Sequence, residues 1–275
     1  GGLPNVFPGY QAVADEGARR KFAAGWGVPF ETFAARPGLT VTEMVHGALR
    51  GDIRAIYVMG ENPMLSDPNL NHVAEALDAV EFLVVQDIFP NETAQRADVV
   101  LPAAGFAEKL GTFTNTERRV QLIRPAIAPP GVSRPDWAIA LDLAQRLGAP
   151  WQYDGPEAIF AEMAGLTPQY AGITYDRLER GGIQWPCPTV DHPGTPVLHI
   201  GKFTRGKGLF CPLEYRPPAE LPDDQFPFLL STGRILFHWH GGTMSRRSPG
   251  LDAAAPEAEA ELHPDDATRL GVADG

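Results

Sequence analysis

FLVVQD, residues 82–87, is the stretch of sequence that decides the fold. Four apolar residues follow one another without interruption and lead directly into the amide of Gln86 and the carboxylate of Asp87. A continuous apolar run of this length is typical of a parallel strand that is covered on both faces. We therefore predict a buried strand over residues 82–86, with Gln86 and Asp87 at its carboxyl end.

The sequence on either side alternates between strand and helix patterns. The predicted strands lie at 53–59 and 99–101, and the predicted helices at 42–49, 67–77 and 92–97. For the helix that starts near residue 67, Asp67 is the expected N-cap and Pro68 the first helical residue. The order β-α-β-α-β with short links predicts a parallel sheet with helices packed on it.

Polar side chains follow the predicted strands, where ligands bind in sheets of this type. Asn62 follows the first strand, and Gln86 and Asp87 follow the second. An aspartate in this position can accept two hydrogen bonds from a guanine edge or a ribose diol, but it can equally cap a helix. Asn62 precedes a proline and fits an ordinary turn as well. The glycine-rich dinucleotide fingerprint is missing, so the sequence leaves these alternatives open.

A polar loop at residues 108–119 is the second candidate site. Lys109 offers a point charge for a phosphate, Gly111 allows a close approach, and Arg118 or Arg119 offers a bidentate fork. The alternative is a surface hairpin with alternating charges, and the pattern alone does not decide between them. Asp136, further along the chain, is expected to cap a helix that is closed by Gly148.

The third candidate site is the loop at residues 231–247, which follows a predicted strand at 226–230. Gly233 lets a ligand approach the backbone, and Arg234 suits a pyrophosphate or another anionic group. His238 and His240 alternate along the chain and could form a metal pair. Because no carboxylate or cysteine lies at ligand spacing, hydrogen bonding to an anionic ligand is the favoured interpretation.

Composition excludes several classes of protein. The formal net charge of −11 argues against nonspecific nucleic-acid binding, which needs a basic face. No run approaches the ~18 apolar residues that a transmembrane helix requires. The two cysteines show no CxxC spacing, so we expect neither a disulfide framework nor an iron–sulfur or zinc site in this chain.

The chain is expected to be a fragment, because it opens on Gly1 without an initiator methionine and ends just after a predicted helix. We predict four segments along it. They are an irregular connection at 1–40, an incomplete α/β dinucleotide-binding domain at 41–150, a loop-rich connection at 151–222, and the start of a β-rich domain at 223–275.

Many short motifs resemble those of the molybdopterin oxidoreductases of the dimethyl sulfoxide reductase superfamily, and they occur in the family's order. They are residues 57–63, 85–89, 93–94, 97–102, 108–112, 115–121, 135–137 and 232–247. Within the superfamily the chain is similar to the catalytic alpha subunit of formate dehydrogenase, especially the soluble NAD-linked type. Residues 3–10, 59–63, 85–89 and 238–240 carry that similarity.

The resemblance implies two molybdopterin guanine dinucleotides around one molybdenum or tungsten. It implies a partial Rossmann-like sheet with flanking helices, followed by the truncated start of a double-psi-like β-barrel. By resemblance, the sheet domain holds one dinucleotide and the barrel loop approaches the cofactor. The cofactor-binding residues implied are Asn62, Gln86, Asp87, Lys109, Gly111, Asp136, Thr232, Gly233, Arg234, His238, Trp239, His240 and Gly241.

The resemblance also implies what this chain lacks. The cysteines of a 4Fe-4S cluster, the metal ligand, and the catalytic histidine and arginine are expected before Gly1. We therefore expect no catalytic or metal-ligating residue here, and no formate oxidation by the 275 residues alone.

The expected reaction of the whole protein is oxidation of formate to CO2. Its expected partners are diaphorase-like electron-transfer subunits with flavin and Fe–S groups, without nucleic acid or a membrane span, in the cytoplasm. The alternatives are a nitrate reductase of the same superfamily and a non-catalytic homologue of the complex I large subunit. The full set of polar residues favours a pterin binder over a purely structural subunit.

Overall fold

The computed structural model describes residues 3–203 and 206–274, which form two compact units. Of the described residues, 3–61 and 69–212 belong to the first unit, and 62–68 and 213–274 belong to the second.

The helices and strands are numbered here in chain order. The strands are β1 (Val6–Phe7), β2 (Gln11–Ala12), β3 (Ala55–Met59), β4 (Phe82–Asp87), β5 (Val99–Pro102), β6 (Gly111–Thr114), β7 (Arg119–Ile123) and β8 (Ile183–Gln184). The helices are α1 (Glu16–Trp26), α2 (Val41–Leu49), α3 (Pro63–Ser66), α4 (Leu70–Ala79), α5 (Asp136–Arg146), α6 (Pro156–Leu166), α7 (Tyr175–Leu178), α8 (Pro249–Ala254) and α9 (Pro264–Leu270). Short 3-10 turns occur at Phe30–Thr32, Ala94–Arg96, Phe106–Glu108 and Ser245–Arg247.

The predicted parallel sheet is confirmed. It has three strands in the order β3-β4-β5, and both pairings are parallel. In the central strand β4, the face of Leu83 and Val85 is almost wholly buried, whereas on the other face Gln86 is buried but Phe82 is exposed and Val84 only partly buried. The prediction of a strand covered on both faces is therefore confirmed for one face only. Helices α2 and α4 pack against each other. The chain is therefore a mixed α/β protein with a small parallel sheet.

A second sheet is antiparallel, in the order β6-β7-β8, and contributes to a separate apolar cluster. The buried members of this cluster are Val120, Phe160, Ala164, Ile173, Tyr175, Leu178, Ile183 and Cys187. Several of them lie on α6 and α7, within the part predicted to be loop-rich. The frequent proline and glycine residues of 151–222 concealed these helices, because Pro156 occupies a first-turn position where it is tolerated.

The segment at residues 3–40 is also more ordered than predicted. It forms the β1–β2 pair and helix α1, which is capped by the carboxylate of Asp15 through a 2.8 Å hydrogen bond from the Ala18 N–H. Phe22 is fully buried, and its ring stacks on that of Phe7 with centroids 4.5 Å apart. Contacts between aromatic rings stabilise this segment, although its sequence has no long periodic pattern of apolar residues.

Both predicted aspartate caps were wrong. Helix α4 begins at Leu70, and its N-cap is Asn69, whose Oδ1 accepts the His72 N–H at 3.4 Å. Asn69 has φ of 56°, a left-handed conformation that asparagine tolerates better than most residues. Asp67 instead follows the short helix α3. Asp136 is the first residue of α5, after Pro135, and its carboxylate accepts a hydrogen bond from Gln86 instead of capping the helix.

The second unit contains helices α3, α8 and α9, and its described residues, 62–68 and 213–274, contain no strand. The strand predicted at 226–230 is therefore not observed, and the side chains of Phe226, Leu229 and Leu230 are exposed. A strand needs a neighbouring strand to pair its backbone groups, and none of these residues provides one. Across the part of the chain that the structure describes, no helix has the length and apolar character that a membrane crossing demands.

We expect Asn69→Ala to lower the free energy of unfolding by about 1 kcal/mol or more, because it removes the cap and leaves a left-handed alanine. Asn69→Gly should recover part of the loss, since glycine adopts this conformation freely. Asp67→Ala is the matched control and should change stability by less than about 0.5 kcal/mol. Urea unfolding measures all three variants. A larger loss for Asp67→Ala than for Asn69→Ala would contradict the cap assignment.

Candidate functional site

A hydrogen-bonded chain of four side chains lies at the carboxyl end of the central strand. Gln86, whose side chain is fully buried, donates from Nε2 to Asp136 Oδ1 at 2.8 Å. The other oxygen of Asp136 forms an ion pair with the Lys109 ammonium group. On the opposite side, the Tyr57 hydroxyl donates to Gln86 Oε1. We call this set, Tyr57, Gln86, Asp136 and Lys109, the strand-end network.

The sheet register explains why Tyr57 and Gln86 meet. Tyr57 lies opposite Val84 and Met59 lies opposite Gln86 in the parallel pair β3–β4. Residues two apart in a strand share a face, so Tyr57 and Gln86 project to the same side. Burial, and then the negative charge of Asp136, raise the pKa of Tyr57 above its ordinary value.

Lys109 and Asp136 reach the network from two other elements. Lys109 follows the 3-10 turn Phe106–Glu108, where the Gly105 N–H donates to Glu108 Oε2 at 2.7 Å. Asp136 is free to face the sheet because Pro135, not Asp136, is at the N-cap of α5. The Lys109 and Asp136 side chains are each partly exposed, so a ligand could reach both.

Asp87 points away from Gln86, as successive residues of a strand do. Its Oδ1 accepts the Phe89 N–H at 3.1 Å, and its Oδ2 accepts from Asn91 Nδ2 at 3.0 Å. Asn91 is fully buried, and its Oδ1 in turn accepts the Ala94 N–H at 2.9 Å. A carboxylate has about four acceptor positions, so Asp87 retains capacity for a further donor.

The polar loop at 108–119 has two different ends. Gly111 begins β6, and open space surrounds the position that a Cβ would take. At the other end, Arg118 donates to the backbone oxygens of Trp185, Thr195 and Pro196. The guanidinium of Arg118 therefore ties the hairpin to a neighbouring loop. Here the structural interpretation of the arginines is favoured over phosphate binding.

In the second unit, His238 is a buried histidine with both ring nitrogens engaged. Nε2 donates to the backbone oxygen of Ala255 at 2.7 Å, and Nδ1 forms a hydrogen bond with Ser245 Oγ at 3.1 Å. Ser245 Oγ also accepts the Trp239 N–H at 3.0 Å. His238 therefore fixes the loop and has no nitrogen left for a metal, which disfavours the His238–His240 metal pair.

The remaining predicted residues of the second unit differ in exposure. Thr232, Gly233 and Arg234 are exposed, and so are Trp239 and His240. The rings of Trp239 and His240 contact each other edge to face, with centroids 4.7 Å apart. Among the described residues, no group of three or more His, Cys, Asp or Glu side chains could hold a metal ion.

Asn62 and Gly241 also lie in the second unit, and both face other residues of that unit. Asn62 is buried, and its Nδ2 donates to Thr243 Oγ1 at 3.3 Å. Leu65 is the nearest neighbour of the Cβ position of Gly241, at 3.7 Å. Both residues therefore help to pack the turn of α3 against the loop that precedes α8.

The fold of this chain is similar to that of acetylene hydratase from Pelobacter acetylenicus. The TM-score is 0.61 at 15% sequence identity, and the match covers 95% of this chain and 38% of that chain. The likeness places the chain in the class of mixed α/β proteins that share this fold.

Residues 7–146 match the family model described as Molybdopterin oxidoreductase, and residues 228–275 match the Molydopterin dinucleotide binding domain. The chain therefore belongs to the molybdopterin oxidoreductase family, which confirms the resemblance seen in its motifs.

Curated relatives carry formate dehydrogenase names. The chain is 51% identical to the alpha subunit of the F420-dependent formate dehydrogenase of Methanocaldococcus jannaschii, and covers 41% of it. It is 47% identical to a corresponding subunit of Methanococcus maripaludis, and covers 40% of it. It is 38% identical to formate dehydrogenase H of Escherichia coli, and covers 39% of it. The chain thus spans about two fifths of the length of these relatives, and matches 99–100% of its own length in each case.

Sequence reasoning missed Tyr57 and Asn91. Tyr57 could have been found, because it lies two residues before the end of β3, at the position whose register places it beside Gln86. Asn91 carries no comparable signal, since it supports Asp87 from an irregular turn.

Removing the charge of Asp136 should lower the pKa of Tyr57. In Asp136→Asn the carboxylate no longer disfavours the phenolate, but burial still does, so the pKa should fall only part of the way to its ordinary value. Absorbance titration of the phenolate measures it, with Tyr57→Phe subtracted to isolate this residue. Asp142→Asn, which removes another partly exposed carboxylate of α5, serves as the control. An unchanged Tyr57 titration in Asp136→Asn would exclude the electrostatic contribution.

Proposed function

We propose that this chain is the part of a molybdenum or tungsten formate dehydrogenase that helps to bind a guanine-containing pterin dinucleotide. The strand-end network is the observation that carries the proposal. It gathers a cation, a carboxylate and an amide at the end of a parallel strand, where ligands of α/β sheets bind. The formate dehydrogenase names of relatives that are 38–51% identical support formate over nitrate as the substrate.

The chemistry of these side chains fits a guanylated pterin dinucleotide. A pyrophosphate needs donors and positive charge, which Lys109 supplies with its three N–H groups. A guanine edge or a ribose diol needs acceptors, which Asp87 and Asp136 supply. Open space surrounds the Cβ position of Gly111, so a ligand can approach the backbone there. We propose that Gln86 orients Asp136, while Lys109, Asp87 and Asp136 contact the dinucleotide directly.

In the second unit, we propose a ligand-facing role for the exposed residues and a supporting role for the buried ones. Arg234 would pair with an anionic group, and Thr232 and Gly233 would approach the ligand closely. Residues 239–241 would also face the ligand. His238 and Ser245 would hold this segment in place. Asn62, which is buried, would support this loop through Thr243. The proposed double-psi-like barrel would need strands that these described residues do not contain.

When bound, the metal of the cofactor would accept the electrons that leave formate as it becomes CO2. The cofactor would supply that chemistry, and the residues of this chain would position and tune it. A 4Fe-4S cluster and flavin-containing partner subunits remain part of the proposal for the whole protein. The resemblance seen in the sequence favours NAD as the electron acceptor, whereas the names of two relatives from the genera Methanocaldococcus and Methanococcus specify F420. We therefore propose no particular electron acceptor. We also predict that the whole protein is located in the cytoplasm.

Lys109→Met should lower the cofactor content of the purified whole enzyme, because a charge-assisted contact to phosphate is lost. A contact of this kind is typically worth about 1.5–3 kcal/mol, which corresponds to a roughly 10- to 150-fold weaker affinity. Molybdenum and tungsten analysis, together with the guanine nucleotide released by acid, measures occupancy. Arg54→Met is the matched control, since it breaks an exposed ion pair with Glu81 in the same unit. Equal cofactor content in wild type and Lys109→Met would refute the assigned site.

We expect the 275-residue chain by itself to show no formate-dependent reduction of an artificial acceptor dye. The expected catalytic residues and Fe–S ligands are not among those identified in this chain. The whole enzyme, assayed in parallel with the same dye, should reduce it when formate is added. Turnover by the 275 residues alone would mean that the catalytic groups lie within them.

A further inference from the structure

Two histidines from neighbouring helices meet on the surface of the first unit. His46 lies in the last turn of α2, and His72 lies in the first turn of α4. Their imidazole rings have centroids 4.9 Å apart, and the ring planes are inclined by 53°. The His46 side chain is exposed and that of His72 is partly exposed, so solvent and small ions can reach the pair.

The ring nitrogens of both histidines have no hydrogen-bonding partner among the described residues. Within residues 3–203 and 206–274, neither imidazole makes a hydrogen bond or an ion pair with another group of the chain. Two other histidines of this chain show the contrast. Both nitrogens of His238 are engaged, and Nδ1 of His192 accepts the Gly194 N–H at 3.1 Å. The neutral imidazole is the commonest metal ligand among side chains, and here two lie side by side with free nitrogens.

The separation of the rings matches that of two imidazoles on one metal ion. In such sites the nitrogen lies about 2.0–2.1 Å from the metal, and the ring centre lies roughly 1.1 Å further away. Two rings at an angle of about 90–110° around a shared metal therefore have centres roughly 4.5–5.2 Å apart. The observed distance of 4.9 Å falls within this range.

The backbone holds both histidines in place before any ion arrives. Helix α2 starts with a capping box between Thr40 and Glu43, and the His46 backbone oxygen accepts the Arg50 N–H at 3.2 Å. The His72 N–H is tied to the Asn69 cap at 3.4 Å. Because the helices are already packed together, little backbone ordering would accompany binding, and preorganisation of this kind favours affinity.

We propose that His46 and His72 form a two-histidine site for a divalent transition-metal ion such as Zn²⁺, Ni²⁺ or Cu²⁺. Imidazole suits these ions, whereas Mg²⁺ and Ca²⁺ prefer oxygen ligands. The pair supplies two protein ligands, and water completes the coordination. The ion would join α2 to α4, the two helices that precede β3 and β4 in the sheet. It is separate from the strand-end network and does not depend on the proposed formate chemistry.

The test titrates Ni²⁺ and Zn²⁺ into the purified protein after dialysis against a chelator, with calorimetry and thermal unfolding as readouts. Wild type should bind one ion at this site, and its unfolding temperature should rise by about 2–5 °C at saturation. His46→Gln and His72→Gln each remove one of the two protein ligands and should weaken that binding by roughly tenfold or more, about 1.4 kcal/mol. The double variant should bind no more tightly than either single variant. Mg²⁺ should have no effect on unfolding temperature.

His199→Gln is the matched control, because it removes an exposed histidine of the same unit and should leave binding unchanged. Unaltered Ni²⁺ and Zn²⁺ binding in both His46→Gln and His72→Gln would overturn the proposal, as would no binding by wild type at millimolar concentration. If the variants fail to fold, the electron paramagnetic resonance spectrum of wild type with one equivalent of Cu²⁺ decides. Coupling to two imidazole nitrogens supports the site, and coupling to one or none means that the rings are only in contact.

Discussion

The amide of Gln86 is the group around which the proposed site is built. It is fully buried at the end of the central strand, and a buried amide that lacks partners destabilises a protein by about 1–3 kcal/mol. The structure satisfies it with Tyr57 on one side and Asp136 on the other. One interaction thereby links strand β3, strand β4 and the start of helix α5. Because a carboxylate can only accept hydrogen bonds, the NH2 group of Gln86 faces Asp136, and the second carboxylate oxygen is left for Lys109.

The ion pair between Lys109 and Asp136 has a different character from the other ion pairs of the first unit. Most of those, such as Arg54–Glu81, join exposed side chains and contribute little to stability. Lys109 and Asp136 are more enclosed, and Asp136 is additionally held by Gln86. An ammonium group has three donors, so Lys109 can keep Asp136 while it accepts an anionic ligand.

The sequence predicted the parallel sheet well and the details around it less well. The apolar run before Gln86 predicted the strand correctly, but of its four residues only Leu83 and Val85, which share one face, are fully buried. The Asp67 cap was wrong because the helix starts later than predicted, at Leu70, and Asn69 caps it from a left-handed backbone. The Asp136 cap was wrong because Pro135 takes the N-cap position and Asp136 is the first helical residue. The strand at 226–230 failed because strand formation depends on a partner, which a local pattern cannot supply. The convergence of Lys109 and Asp136 also depends on tertiary structure, and there the resemblance to a known family supplied what spacing could not.

Structural residues and ligand-binding candidates of this chain have similar residue types. They differ in how many of their hydrogen-bond donor and acceptor positions are already used within the protein. His238 and Arg118 both looked suited to an anionic ligand, yet the structure uses the nitrogens of His238 and much of the Arg118 guanidinium to hold loops in place. Lys109 and Asp87 have partners but retain unused donor or acceptor positions. His46 and His72 lie at the other extreme, since their rings contact each other but form no hydrogen bond or ion pair with the described residues. Since an engaged group must break a bond before it binds a ligand, residues with spare capacity are the ones whose substitution should affect binding more than stability.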